Sequence, residues 1–106
     1  MKLDPELLKQ LERLKEQFKS GLPQRLDRID TALDACADDP TNPTALAALA
    51  TALHSLGGAA GIFGFDQLGV MAREAEREVM AWVGHGGTEE QIQRLRSLAL
   101  SWRMVE

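Results

Sequence analysis

His54 is the residue in this sequence best suited to carry chemistry, because a neutral imidazole is a nucleophile near pH 7. It lies in a stretch with the apolar spacing of a helix, close to Gly57, Gly58 and Gly61. A glycine in a helix interior costs about 1 kcal/mol relative to alanine. Several glycines beside one histidine therefore predict a site that another molecule approaches closely.

The spacing places His54 on the flank of the buried stripe of its helix, among small residues. A lone histidine at such a position is often an ordinary surface residue, and glycines also serve close packing between helices. Close packing would place glycines on the core side. Gly57 is predicted to lean toward the core, yet Gly58 is predicted to point outward. We therefore expect an accessible imidazole, suited to a reactive group or a docking site, on a smooth partner-facing surface formed by Ala47, Ala50, Thr51, Gly57, Gly58 and Gly61.

The next helix is predicted to bring a carboxylate to His54. If the chain reverses near Gly64, the residue opposite His54 lies near position 74, and Glu76 falls on the facing flank. A hydrogen bond from the ring to Glu76 would fix the tautomer and leave the other nitrogen free. Arg73 lies further out on the same side, where a solvated helix face is the simpler interpretation.

The remaining elements are predicted to be helices that form one bundle. Apolar residues recur every three or four positions, and no alternating strand pattern is present. Helix starts are indicated by Asp4-Pro5, by Asn42-Pro43 and by the capping box that begins at Thr88. The sequence predicts an all-α, antiparallel up-down four-helix bundle with an N-terminal helical extension.

We predict a single domain over residues 1–106, with the extension at 1–20 and the bundle at 21–105. In the extension, Leu7, Leu11 and Leu14 continue the apolar stripe of the following helix. Gly21 and Pro23 interrupt that stripe, which predicts two consecutive helices or one long kinked helix.

Composition argues against several classes of function. The net charge is −4 and the basic residues alternate with acidic ones, so a nucleic-acid partner is not expected. We find no signal peptide and no long apolar run, so a membrane partner is not expected. The single cysteine, Cys36, fits core packing in a cytoplasmic protein. His85 lies in a glycine-rich turn and lacks ligand spacing to His54, so no metal site is predicted.

The segment around His54 resembles the signature of histidine phosphotransfer (Hpt) domains. In that family a His-x-Leu-Lys-Gly-Ser/Ala-Ala/Ser run is followed by a glycine ten residues after the histidine. Here the run is HSLGGAA, from His54 to Ala60, and Gly64 occupies the later position. The resemblance covers nearly the whole chain, including the first helix from Phe18 to Leu26 and the helix that carries Leu68 and Ala75-Glu76.

The resemblance implies a monomeric four-helix bundle that relays a phosphoryl group between aspartyl-phosphate receiver domains of two-component systems, with a hybrid sensor histidine kinase as a further partner. His54 would be phosphorylated, Gly58 would leave room for the receiver, and Glu76 would orient the imidazole. The receiver would supply Mg²⁺, so this chain needs no cofactor. Because no nucleotide-binding loop is present, the chain would be a phosphocarrier without kinase activity of its own.

One position departs from the family pattern. Gly57 stands where most members carry a lysine that helps to hold the phosphoryl group, and Arg73 is a candidate replacement. The missing lysine leaves open a docking module that binds receivers without phosphoryl transfer. A separate alternative is that the chain forms the dimerisation helices of a histidine kinase. The cognate receivers, the signal and the attachment to a larger kinase are not fixed by the sequence.

Overall fold

The computed structural model of the protein describes residues 4–104, and this part of the chain contains helices and no strand. Residues 1–3 and 105–106, which belong to the predicted extension and bundle, lie outside the described range. The predicted all-α bundle is confirmed. Its helices are α1 (Pro5–Asp38), α2 (Pro43–Ile62), α3 (Asp66–Met80) and α4 (Glu89–Trp102).

Side chains cap three of these helices where the sequence predicts a helix start. The carboxylate of Asp4 accepts a hydrogen bond from the Glu6 N–H, and the amide oxygen of Asn42 accepts one from the Thr44 N–H. Thr88 and Gln91 form the predicted capping box at the start of α4. These bonds satisfy backbone donors that have no partner within the helix, and they set where each helix begins.

Helix α1 is one continuous helix of 34 residues, although Pro23 lies within it. At about 1.5 Å per residue it is about 51 Å long, which equals the longest dimension of the molecule, 51 Å. The helix crosses the predicted boundary at residue 20 without a break, and its first buried residue is Phe18. We call residues 5–17 the N-terminal arm. Leu7, Leu11 and Leu14 follow the predicted stripe but are exposed, because no other described element packs beside them.

Ion pairs between helices agree with the antiparallel order. Arg96 of α4 pairs with Asp34 of α1, and Arg103 donates hydrogen bonds to Asp27 and Asp30 nearer the start of that helix. Residues nearer the end of α4 therefore contact residues nearer the start of α1, as in two antiparallel helices. The hydrogen bonds to Asp27 and Asp30 raise the pKa of the Arg103 guanidinium, which stays charged and holds the end of α4 on α1.

The core consists of one face of each helix. Helix α2 contacts both α1 and α3, while α4 packs on α1. Apart from the arm, the predicted apolar stripes are buried, with Met71 half-buried as the one exception. The buried stripe residues are Phe18, Leu22, Leu26, Ile29, Leu33, Cys36, Leu46, Leu49, Leu53, Leu56, Ala60, Leu68, Ala72, Ala75, Val79, Trp82, Ile92, Leu95, Ala99 and Trp102.

Helix α2 is also long and apolar enough, by length and composition, to span a membrane. It has 20 residues and a mean hydropathy of 1.5 over its most apolar window. This property is not obvious from the sequence, because Thr51, His54 and Ser55 divide the apolar residues of α2 into shorter runs. In the fold, its leucines form the centre of the core, and core helices commonly have this hydropathy.

Candidate functional site

His54 lies on the solvent side of α2 and is hydrogen-bonded to Glu76 of α3. Its Nδ1 is 3.1 Å from both carboxylate oxygens of Glu76, so the contact predicted from the hairpin register is present. The imidazole side chain is 77% exposed, whereas Glu76 is 25% exposed. The half-buried carboxylate thus holds an imidazole that remains open to solvent.

This contact determines which nitrogen of His54 can react. With Nδ1–H donating to the Glu76 carboxylate, Nε2 carries the lone pair. The carboxylate also stabilises the positive charge that develops on the ring when Nε2 forms a new bond. The pair therefore forms an oriented nucleophile, the arrangement that nucleophilic catalysis by histidine requires.

The surface around His54 on α2 consists of small residues, as the sequence predicts. Ala47, Thr51 and Gly58 are exposed, and Ala50 is half-buried. A Cβ atom added to Gly58 would meet no atom within 4 Å. Nothing larger than threonine stands beside the imidazole on this face of the helix, so a partner domain can reach Nε2 without displacing side chains.

Gly57 and Gly61 have a different role from the one predicted. Gly57 is buried, so it is not part of the accessible surface, and Gly61 is half-buried. Both face Gly69 of α3, where an added Cβ would lie 3.2 Å from the Gly57 carbonyl oxygen and 3.3 Å from the Gly61 nitrogen. The three glycines let α2 and α3 pack closely, which brings Glu76 within reach of His54.

Arg73 lies over the glycines. Its Cγ is 3.0 Å from the position a Cβ on Gly57 would occupy, and its guanidinium is 3.6 Å from the corresponding position on Gly61. The stem of Arg73 thus fills the space above Gly57. Its charged end lies at the level of Gly61, one helical turn further from His54 than Gly57 is. Arg73 is exposed and forms no ion pair within residues 4–104.

Two contributions to the site were missed in the sequence. Arg25 of α1 donates a hydrogen bond to the Ser55 hydroxyl at 2.8 Å, which ties α1 to α2 beside His54. Thirty positions separate these residues, and no local pattern links them. The packing of Gly69 against α2 did leave a signal, because Gly57 and Gly61 are four positions apart and form a small-residue face on α2.

The comparisons with known proteins agree with this geometry. The family model described as the Hpt domain matches residues 13–103. The chain belongs to the Hpt domain family. Neither the search of curated proteins nor the search of solved structures returned a match. Membership of this family implies phosphotransfer in two-component phosphorelays, in which Hpt domains interact with receiver domains.

The other candidate ligands and nucleophiles of the Hpt chain lie apart from His54. Within residues 4–104 no three His, Cys, Asp or Glu side chains come together as a metal site. The ring of His85 contacts the Gly86 carbonyl oxygen at 2.9 Å within the turn before α4, far from His54 in the sequence. Cys36 is buried, and burial raises the pKa of its thiol, which keeps it protonated and unreactive. His54 differs from Cys36 in being exposed and oriented by a carboxylate.

Proposed function

We propose that this Hpt domain relays a phosphoryl group between receiver domains through a phosphohistidine at His54. The Nε2 lone pair attacks the phosphorus of a receiver's aspartyl phosphate. The N–P bond forms as the O–P bond breaks, and the aspartate leaves as a carboxylate. The second transfer reverses these changes with the aspartate of another receiver.

The His54–Glu76 hydrogen bond is the observation that carries this proposal. Phosphoryl transfer passes through a loose, in-line transition state, and catalysis consists mainly of positioning and of charge stabilisation. A nucleophile whose tautomer is fixed and whose reactive nitrogen is open to solvent supplies the positioning. The phosphoryl group needs little else from this chain, because the receiver brings Mg²⁺ and most of the remaining charge.

Positive charge on this chain comes from Arg73 in place of the usual lysine. A Cβ atom on Gly57 would lie 3.0 Å from the Cγ of Arg73, so glycine at position 57 leaves the space that the Arg73 stem occupies. Arg73 is exposed and can change rotamer. A turn of its side chain toward His54 would place the guanidinium beside the phosphoryl oxygens, which it can bind in a bidentate manner.

The partners are receiver domains, which dock on the small residues Ala47, Ala50, Thr51 and Gly58 around His54. A hybrid sensor histidine kinase supplies the phosphoryl group through its receiver, and the relay takes place in the cytoplasm. One chain contains the complete site, since both His54 and Glu76 come from the same bundle. The chain acts as a carrier and has no kinase activity of its own.

The test is phosphate transfer from a ³²P-labelled receiver. We expect the chain to acquire an acid-labile, base-stable phosphate, His54→Gln to acquire none, and the control His85→Gln to behave as the unmodified chain. If His54→Gln still accepts phosphate, the proposal is wrong. If the chain binds receivers but transfers phosphate with none of the source organism's receivers, the docking function is favoured instead.

A further inference from the structure

The N-terminal arm of α1 carries an apolar face that the bundle leaves uncovered. Leu7, Leu8, Leu11 and Leu14 are each between 42% and 44% exposed. Leu7, Leu11, Leu14 and Phe18 alternate spacings of four and three residues, which is the pattern of a coiled-coil seam. The first two leucines of the seam lie a full turn or more beyond any buried residue of α1.

This face is continuous with the end of the core. The Phe18 ring lies 5.7 Å from the Phe63 ring and 5.3 Å from the Phe65 ring, centroid to centroid. Phe63 and Phe65 are half-buried, and Lys15 lies over the Phe65 ring. A helix packed along the arm would therefore also cover the edge of the α2–α3 turn.

The charges of the arm and of the residues next to it, over residues 4–20, are divided between the two ends of this stretch. Residues 4–20 hold as many basic as acidic side chains, so the net charge of the chain resides in the bundle. Within this stretch, residues 4–12 have an acidic excess of two and residues 13–20 have a basic excess of two. The residues concerned are Asp4, Glu6, Lys9 and Glu12 in the first part, and Arg13, Lys15, Glu16 and Lys19 in the second.

We propose that the N-terminal arm is a self-association surface on which a second copy of this chain packs antiparallel. Antiparallel pairing sets the acidic end of each arm against the basic end of the other, whereas parallel pairing sets like charges together. With Leu11 opposite Leu14 of the second copy, Leu7 falls at the level of Phe18, which is buried in its own bundle and marks the end of the seam. The two bundles then lie at opposite ends of the pair, and His54 stays free in each.

The composition of the arm favours a second copy over a lipid surface. Helices that lie on membranes carry an excess of Lys and Arg opposite the apolar face. Residues 4–20 have no such excess, because their basic and acidic side chains are equal in number. The seam is only two heptads long, so the contact is at the small end of specific interfaces. We therefore expect a reversible dimer whose population rises with concentration, which departs from the monomer expected from the sequence.

Sedimentation equilibrium of the full chain tests the association. The mean mass should rise from 11.6 kDa toward twice that value as the concentration is raised from micromolar to near-millimolar. The double variant Leu11→Gln, Leu14→Gln keeps helix propensity and should raise the dissociation constant more than about tenfold. The control Leu100→Gln, at a leucine that is 66% exposed on α4, should leave it unchanged.

The charges test the orientation. Arg13→Glu with Lys19→Glu makes both ends of the arm acidic and should weaken association, and adding Glu6→Lys with Glu12→Lys should restore it. Salt should weaken the unmodified dimer by screening the attraction. A constant monomer mass, an equal effect of Leu100→Gln, or association strengthened by salt would overturn the proposal. So would capture by anionic vesicles of phosphatidylserine that the leucine variant abolishes.

Discussion

Glu76 is the residue whose contribution the geometry defines most directly, because both of its oxygens face Nδ1 of His54. A hydrogen bond to a charged group contributes about 1.5–3 kcal/mol. Glu76→Ala should therefore slow phosphoryl transfer by about ten- to hundredfold. Rapid-quench measurements with a phosphorylated receiver would give the rate.

The control for that experiment is Glu74→Ala, which removes an exposed carboxylate from the same helix. Nitrogen chemical shifts of the His54 ring add a second measurement. They should report a proton fixed on Nδ1 in the unmodified chain and a mixture of tautomers in Glu76→Ala. An unchanged rate together with unchanged shifts would mean that Glu76 does not orient the ring.

Arg73 is expected to contribute a smaller amount. It is exposed, and an exposed ion pair contributes up to about 1 kcal/mol. Arg73→Gln should therefore slow transfer by up to about fivefold, and added salt should reduce the difference between variant and unmodified chain. The control Arg77→Gln, one turn along α3, should transfer at the unmodified rate at every salt concentration. A slower rate in both variants would indicate a general effect of charge.

At the scale of single residues, the sequence predicted what depends on spacing along one hairpin. The pairing of His54 with Glu76 follows from the position of Gly64, where the backbone φ is +85°. The spacing predicted that Gly57 leans toward the core, but not that it is fully buried. Its burial depends on how closely α3 approaches, and Gly69 determines that distance from the other helix.

At the scale of elements, the α2–α3 packing can be tested by two substitutions that should change the free energy of unfolding in opposite directions. Gly58→Ala should stabilise the bundle by about 1 kcal/mol, because helix propensity improves and nothing lies within 4 Å of the new methyl group. Gly69→Ala should destabilise it by about 1–2 kcal/mol, because its methyl group would press on the backbone of Gly57 and Gly61.

Urea unfolding followed by circular dichroism measures both effects. The two variants add the same methyl group to helical glycines, so each is the control for the other. If Gly69→Ala were as stable as Gly58→Ala, the glycines would not set the distance between α2 and α3. Phosphoryl transfer by Gly69→Ala should also fall, since Glu76 would move away from His54.

The bounds of most elements could be predicted because local signals set them. The caps at Asp4, Asn42 and Thr88 each act within three residues, and all were predicted. The sequence left open whether α1 continues through Pro23 or divides there into two helices. A proline removes one backbone hydrogen bond, yet Leu22 and Leu26 on either side of it are buried against the rest of the bundle, and this packing keeps the helix unbroken.

At the scale of the whole molecule, the sequence predicted a bundle with a helical extension over residues 1–20. The apolar stripe of α1 runs from Leu7 to Cys36 without a change of phase, so the stripe itself does not show which of its residues the bundle covers. The separation arises because α2 is 20 residues long and α1 is 34. About fourteen residues of α1 therefore have no partner among residues 4–104, and the exposure of their leucines is a consequence of unequal helix lengths.

This arrangement predicts that a chain beginning at residue 13 keeps the bundle and loses the association. Residues 4–12 contain no buried side chain, so at low concentration the free energy of unfolding should change by less than about 0.5 kcal/mol. The transition temperature of the full chain should rise with protein concentration, because only the folded arm binds a second copy. That of the shortened chain should stay constant, and its rate of phosphoryl transfer should equal that of the full chain. A loss of stability at low concentration would instead mean that the arm supports its own bundle.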